Sequence, residues 1–279
     1  MLPGVDRRRG GPNSGTGPSI PTPVVKHMAN EDYNRFKTLT FERFQQLARD
    51  ASLSPYEKIG FPNSYREGKE TDIVRDIQQK LRNLHEPNQV ILDIGPGCSD
   101  VPRMIIDSCL SQGSTLLLVD SAEMLNLLPD APGIIKVPGR FPDDCMALID
   151  QYRGRVNALL TYSVCHYVFH ESNVFHFLDS CLHMLAVGGE ILIGDIPNIS
   201  KRKRFFGSPT GIRHHQQFTG TQEIPAVVFN QLERGEIDDS VILSLLLRAR
   251  TAGFDAYVVP QAQGLPMENR REDILIRRP

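Results

Sequence analysis

In the stretch "VILDIGPGCS" the apolar run Val90–Ile94 feeds directly into a Gly-Pro-Gly turn. An apolar run bounded by turn residues reads as a strand covered on both faces. Gly95 and Gly97 then mark a loop where backbone must come close to a ligand or a neighbouring element. Further strand runs follow at Thr115–Val119, Ile134–Val137, Asn157–Tyr162 and Glu190–Gly194, separated by helical patterns near Val101–Ser111, Asp143–Tyr152 and Ser172–Leu185. Repeated β-α units of this kind predict an α/β, Rossmann-like, doubly wound parallel sheet with helices on both faces. A last helix near Asp239–Ala252 stops at Gly253, and "FDAYVVPQ" and "EDILIRRP" then read as two strands with no helix between them. Such a pair is antiparallel, which places an antiparallel element at the end of the sheet.

Ahead of the sheet the pattern changes twice. Residues 1–27 are dense in Gly, Pro and Ser without apolar periodicity, so they are expected to form a disordered tail, with Arg7, Arg8 and Arg9 as a solvated charge run. Residues 28–88 are expected to form a helical cap. Phe36, Leu39, Phe44 and Leu47 recur at helical intervals, as do Ile73, Ile77, Lys80 and Leu81. Between the two helices lies the aromatic loop "SPYEKIGFPNSYREG", and the segment Ser54–Glu70 is expected to fold over the open face of the sheet as a lid.

Composition narrows the function classes. A net charge of −2 over 279 residues gives no general pull toward nucleic acid or an acidic membrane, and no recognisable nucleic-acid module is present. No run approaches the ~18 apolar residues of a membrane span, and the start has no signal-type core, so a soluble, cytoplasmic protein is expected. Cys98, Cys109, Cys145, Cys165 and Cys181 are odd in number and lack a Cys-x-x-Cys pair, which predicts reduced thiols in a reducing compartment.

Ligands of such sheets sit beyond the carboxyl ends of the strands. The dinucleotide fingerprint wants a third glycine where this chain has Asp100, a carboxylate poorly placed beside a pyrophosphate. Asp120, at the end of the second strand and 27 residues after Asp93, is placed to accept both hydroxyls of a ribose (120 − 93 = 27). The turn therefore suits a nucleoside that brings no phosphate to it.

The ordered series "ILDIGPGCS", "LLLVDSAEML", "VNALLTYSVCHYVF" and "HMLAVGGEILIGDIPN", with the closing strand pair, resembles the class I S-adenosylmethionine-dependent methyltransferases across roughly Val90 to Pro279. The resemblance implies a seven-stranded sheet with an antiparallel last strand, in a domain of residues 89–279. It implies S-adenosylmethionine as cofactor and S-adenosylhomocysteine as product. Asp93, Gly95, Pro96 and Gly97 would line the methionine end, and Asp120 with Ser121 the ribose. Met124, Gly139, Arg140 and Phe141 would flank the adenine, and Ser163 and Val164 the sulfonium. Ser99 departs from the pattern, since many members carry a glycine there.

Methyl transfer asks the protein to hold a nucleophile in line and, for a hydroxyl, to remove its proton. His166, Asp195, His214 and His215 are the candidate catalytic residues. No carboxylate matches Asp195 and Asn198 at neighbouring strand ends, so no metal is expected. "TYSVCHYV" lacks the Asn/Asp-Pro-Pro-aromatic turn common in enzymes that methylate base or amide nitrogens, which turns the reading from nucleic acid toward a small-molecule or glycan acceptor. The polar segment at about 197–222, "NISKRKRFFGSPTGIRHHQQFTG", is expected to be a substrate loop. Arg204, Phe206 and Arg213 from it, with Tyr65 and Arg66, are the candidate acceptor contacts. "GFPNSYREGKETDIVRDI" and "LPMENRREDILIRRP" further resemble bacterial polysaccharide- and sugar-modifying methyltransferases. The expected function is O-methylation of a sugar, nucleotide-sugar or related small metabolite. Alternatives are a small-molecule N- or O-methyltransferase of secondary metabolism, and a cofactor-binding partner subunit without activity.

Overall fold

The computed structural model describes residues 39–279, apart from the side chains of Ser64 and Tyr65. The tail expected over 1–27, and the start of the cap, lie outside the described residues. The sheet strands are β1 (Val90–Ile94), β2 (Thr115–Asp120), β3 (Ile134–Pro138), β4 (Val156–Tyr162), β5 (Leu185–Pro197), β6 (Asp255–Val259) and β7 (Arg271–Arg277). They form one seven-stranded sheet in the order β3-β2-β1-β4-β5-β7-β6. The first five run parallel, and β7 pairs antiparallel with both β5 and β6. The antiparallel strand therefore sits inside the sheet, with β6 as the edge, because the β6–β7 connection folds the last strand back into the slot beside β5.

Alternation along the strands sends neighbours to opposite faces. Leu92, Leu117, Leu159 and Ile191 enter one core with the helices Met146–Gln151, Val174–Met184 and Asp239–Thr251, whereas Ile91, Leu116, Leu118 and Leu160 enter the other with Glu70–Lys80 and Asp100–Ser111. Each fully buried leucine or isoleucine contributes about 1.5–3 kcal/mol. Two burial faces make the carboxyl edge of the sheet a rigid platform on which the loops of the site are set.

The cap begins with α1 (Phe41–Arg49), α2 (Pro55–Lys58) and α3 (Asn63–Arg66) before α4 (Glu70–Lys80). The expected aromatic loop thus holds two short helices. Ser54 and Glu57 form a reciprocal capping box that starts α2. The expected substrate loop at 197–222 is likewise a helical hairpin, Ile199–Phe206 followed by Pro209–Thr219. Asn198 caps the first helix by accepting from Ser200 and Lys201 amides; Ser208 caps the second, with Pro209 at its first position, and Gly220 closes it at φ +67°. Polar composition hid caps that were local in sequence. A further helix, Cys165–Glu171, follows β4 directly where only a strand end was expected. No described helix is long and apolar enough to cross a membrane.

Candidate functional site

One cavity opens at the carboxyl edge between β1, β2 and β4, roofed by α1, the connection between α2 and α3, and α3. Its floor is the turn after β1. Gly95 and Gly97 stand at φ +70° and +67°, in the left-handed region. A Cβ on Gly95 would lie 2.5 Å from Val164 Cγ2, and one on Gly97 would lie 2.6 Å from Ile59 Cγ2. Both the backbone conformation and the close packing therefore demand glycine.

Two carboxylates face this floor. Asp120 accepts from the amides of Gly97 at 3.0 Å and Ser121 at 2.7 Å. Burial nonetheless pushes it up to about 6, only partly offset by those two amides. Asp93 is 3% exposed, and burial, then the charge of Asp120, push it up to about 8. Among the described residues no hydrogen bond to the Asp93 carboxyl is seen, and a buried ionised form needs one. A cationic ligand group beside it would supply that partner.

Of the residues expected at a cofactor, Asp93, Gly95, Pro96, Gly97, Asp120, Met124, Gly139, Arg140, Phe141, Ser163 and Val164 all line this cavity. Ser121 does not; its hydroxyl accepts from the Met124 amide at 3.3 Å and starts a helical turn at Ala122–Leu125. Ser99, the departure from the glycine pattern, lines the cavity as the residue before the helix Asp100–Ser111. Sequence reading put Ile59 and Phe61 in the segment expected as a lid but did not foresee the other roof residues. Phe41, Phe44, Ile59 and Phe61 come down from the cap, and Tyr167 and Glu171 from the helix after β4. Phe44 packs edge-on against Tyr167 with ring centroids 4.9 Å apart, and Phe41 donates its amide to Glu171 at 3.2 Å. The alternating aromatics of "FKTLTFERF" carried that signal, but nothing local says which face of a cap helix meets a distant strand edge.

The other end of the cavity is a buried polar cluster where β4 and β5 finish. Ser163 and Asp195 follow adjacent strand positions and both hold left-handed backbone, at φ +62° and +59°. Conformations of this kind cost about 1–3 kcal/mol each in non-glycine residues and persist only where the surroundings enforce them. Here the enforcement is visible. Ser163 donates to the Asp195 carboxylate; Arg66, from α3, reaches Ser163 at 2.5 Å and Asp195 at 2.7 Å; Arg271, from β7, reaches the same Asp195 oxygen at 3.1 Å. Asp273 accepts from the Asp195 amide at 2.8 Å and pairs with Lys80 at 2.7 Å, while Gln261 bridges Asp195 and Asp273 at 3.3 and 3.2 Å. The Arg66 guanidinium also stacks on Phe61, 4.0 Å from the ring centre.

The candidate catalytic residues fall in three places. Asp195 is 2% exposed inside this cluster and does not itself line the cavity. His166 lies one residue past the start of the helix after β4, beside Tyr167 and outside the lining set, with Nδ1 buried and unpartnered. Burial first, then Arg271, His170 and Arg66, hold its pKa well below the usual imidazole range. His214 and His215 sit on the second helix of the hairpin against Phe205 and Phe206, away from the cavity lining.

Among the expected acceptor contacts, Arg66 lines the cavity. Arg204 instead pairs with Asp239, Arg213 donates to Thr210 at 3.1 Å, and Phe206 lies near the guanidiniums of Arg202 and Arg270; none of the three lines it. Tyr65 is in α3, but its side chain lies outside the described residues.

No protein-family model and no curated protein sequence matches the chain. Solved structures do match in fold. A phosphoethanolamine N-methyltransferase from Haemonchus contortus, in complex with phosphoethanolamine and S-adenosylhomocysteine, superposes with a TM-score of 0.53 at 16% identity, covering 91% of this chain and 50% of that one. The CurJ carbon methyltransferase superposes with a TM-score of 0.51 at 12% identity, covering 88% of this chain and 66% of that one.

Proposed function

Because the chain carries the class I S-adenosylmethionine-dependent methyltransferase fold, we propose that it methylates a hydroxyl of a small acceptor, a sugar, nucleotide-sugar or related metabolite. The observation that carries the reading is the pairing of Asp120 with the Gly95–Gly97 turn in a single cavity at the strand ends. The residues present fit the cofactor: a glycine floor too tight for any Cβ, an acid at the ribose position, and an underpartnered acid at the methionine end.

When bound, S-adenosylmethionine supplies an electrophilic methyl group. The protein's part is placement and proton removal. Asp120 would accept the ribose hydroxyls, and Asp93 would face the α-ammonium, which favours its ionised form. Met124, Phe141 and Val164 would enclose the base and sulfonium. The roof of Phe41, Phe44 and Phe61 excludes water from the reacting centre. The Arg66 tie from α3 to the β4 and β5 ends gives the segment Ser54–Glu70 its role as lid. His166, on the helix whose Tyr167 and Glu171 line the cavity, keeps a free ring nitrogen and is the proposed acceptor of the hydroxyl proton.

Calorimetry with S-adenosylhomocysteine tests the reading. Wild-type protein should bind it, and Asp120→Ala should weaken binding by about 1–3 kcal/mol, the scale of lost hydrogen bonds to a charged group. Absence of wild-type binding would sink the proposal.

A further inference from the structure

At the β4–β5 edge the guanidinium groups offer more hydrogen bonds than their carboxylate neighbours use. Arg66 reaches Ser163 and Asp195 through Nη2 alone, and Arg271 reaches the Asp195 carboxylate and carbonyl through Nη1 alone. Among the described residues no other hydrogen bond of either guanidinium is seen, and Arg66 Nε is buried without a partner. Lys201 joins them from the hairpin, donating to the Arg271 carbonyl at 2.6 Å. His166 feels both guanidiniums, and its Nδ1 is also unpartnered.

Of the acidic groups facing this edge, Asp195, Asp273 and Glu272 are already engaged. Asp195 is shared by the two arginines; Asp273 is held by Lys80 and Gln261; Glu272 accepts from Asn198 at 2.7 Å; Glu171, on the helix of His166, turns Oε2 toward Arg140 and the Phe41 amide and keeps Oε1 buried without a partner. His170 lies on the same helix as His166 and adds no negative charge.

From this we infer that the acceptor is an anion, whose carboxylate or phosphate group docks against Arg66 and Arg271. The inference deepens the methyltransferase reading and rests on it. Guanidinium forks recognise planar and tetrahedral oxyanions through paired N–H donors, which an ammonium cannot do. An anion placed there also reverses the field on His166. The two guanidiniums disfavour the imidazolium, and a neighbouring negative charge favours it, so the imidazole gains basicity only with the correct acceptor in place. A neutral acceptor of the same shape leaves the imidazole a weak base.

A matched pair of probes separates charge from shape: methyl β-D-glucuronoside and methyl β-D-glucoside, titrated into the full chain with and without S-adenosylhomocysteine. The glucuronoside should bind at least tenfold tighter than the glucoside, inorganic phosphate should compete with it, and the His166 resonance should titrate at higher pH when it is bound. Arg271→Gln should remove the preference while leaving S-adenosylhomocysteine affinity within about twofold. Arg66→Lys, which keeps the charge and loses the fork, should reduce the preference and provides the check if Arg271→Gln fails to fold. Equal affinity for the two glycosides, binding of neither, or a preference untouched by both variants overturns the inference. Because the preference is also read in ligand-free protein, a failure of S-adenosylhomocysteine to bind is a separate result that strikes the methyltransferase reading alone.

Discussion

The two ends of the cavity are built by opposite strategies. At the cofactor end the functional groups are close in sequence: Asp93, Gly95 and Gly97 lie on one turn, and Asp120 closes the next strand. The opposite end gathers Arg66, Ser163, Asp195, Gln261 and Arg271 from five separate segments into one ion-pair and hydrogen-bond cluster. A local site is encoded by strand-turn chemistry and survives wherever the sheet forms. A dispersed site exists only when the whole chain is folded, and it feeds stability back into the fold that makes it. The first end should therefore answer mutation in affinity, the second in stability.

The sharpest test of that contrast is Asp195→Ala. The two arginines that share Asp195 have side chains only 8% and 12% exposed, so removing the acid strands two positive charges in a dry setting. Breaking a buried pair in this way costs about 3–5 kcal/mol. Urea denaturation should show a loss of that size, while Asp120→Ala, which removes a desolvated carboxylate, should cost little stability. A loss below about 1 kcal/mol for Asp195→Ala would show that the cluster is not what ties α3 to the sheet.

The same contrast explains what was legible in the sequence. Strands β1 to β5, the helices between them and the turn after β1 follow from apolar period and turn residues acting over five to ten positions. The placement of Asp120 in the cavity was legible because it stands at a strand end, which is a local property. The cap was only half legible: helical spacing announced α1 and α4, but the descent of Phe41, Phe44 and Phe61 over the cavity depends on tertiary packing. Asp195 was noticed as a strand-end acid, yet its arginine partners come from positions 129 residues before it and 76 after. No spacing rule connects such residues. The hairpin at 199–219 was missed for a different reason, since its polar sequence masks two helices set by Asn198 and Ser208 caps.

Titration gives a second way to sharpen the comparison, this time at the cofactor end. Asp93 has an ordinary value of 3.8 and is raised to about 8 in the fold. For an acid with a raised folded value, the unfolded chain ionises first. The resulting penalty on stability is absent below about pH 4, grows as pH rises, and is complete above about pH 8. A ligand ammonium beside the ionised carboxylate reverses this, so binding should release a proton. Between pH 7 and 8, above most of the range in which Asp120 titrates, S-adenosylhomocysteine affinity should rise with pH by up to about tenfold per unit. Heats measured in buffers of different ionisation enthalpy should report the released proton, and Asp93→Asn should flatten the profile. A flat wild-type profile would separate Asp93 from the ligand's ammonium.

The smallest effect is expected where the cap is fastened from outside. Arg140 lines the cavity and pairs with Glu42 at 2.5 Å, and its guanidinium lies 4.9 Å from the Phe41 ring centre. This resembles the Arg66 tie in form, since each arginine joins the cap to the strand edge and each touches a phenylalanine. The surroundings differ. Glu42 is 64% exposed, so water and salt screen the pair, and the ordering of two long side chains offsets much of the attraction. Arg140 also keeps a second acid, Glu171, within 3.5 Å when Glu42 is gone. Glu42→Gln should therefore leave the melting temperature within experimental scatter and change S-adenosylhomocysteine affinity by less than about threefold. Hydrogen exchange of α1 should stay as slow as in the wild type, because Phe44 against Tyr167 and the Phe41 amide on Glu171 still hold it. A large loss of affinity with fast exchange in α1 would mean that the roof is held by its rim charges, and that the difference between the screened and the buried tie is smaller than their exposures imply.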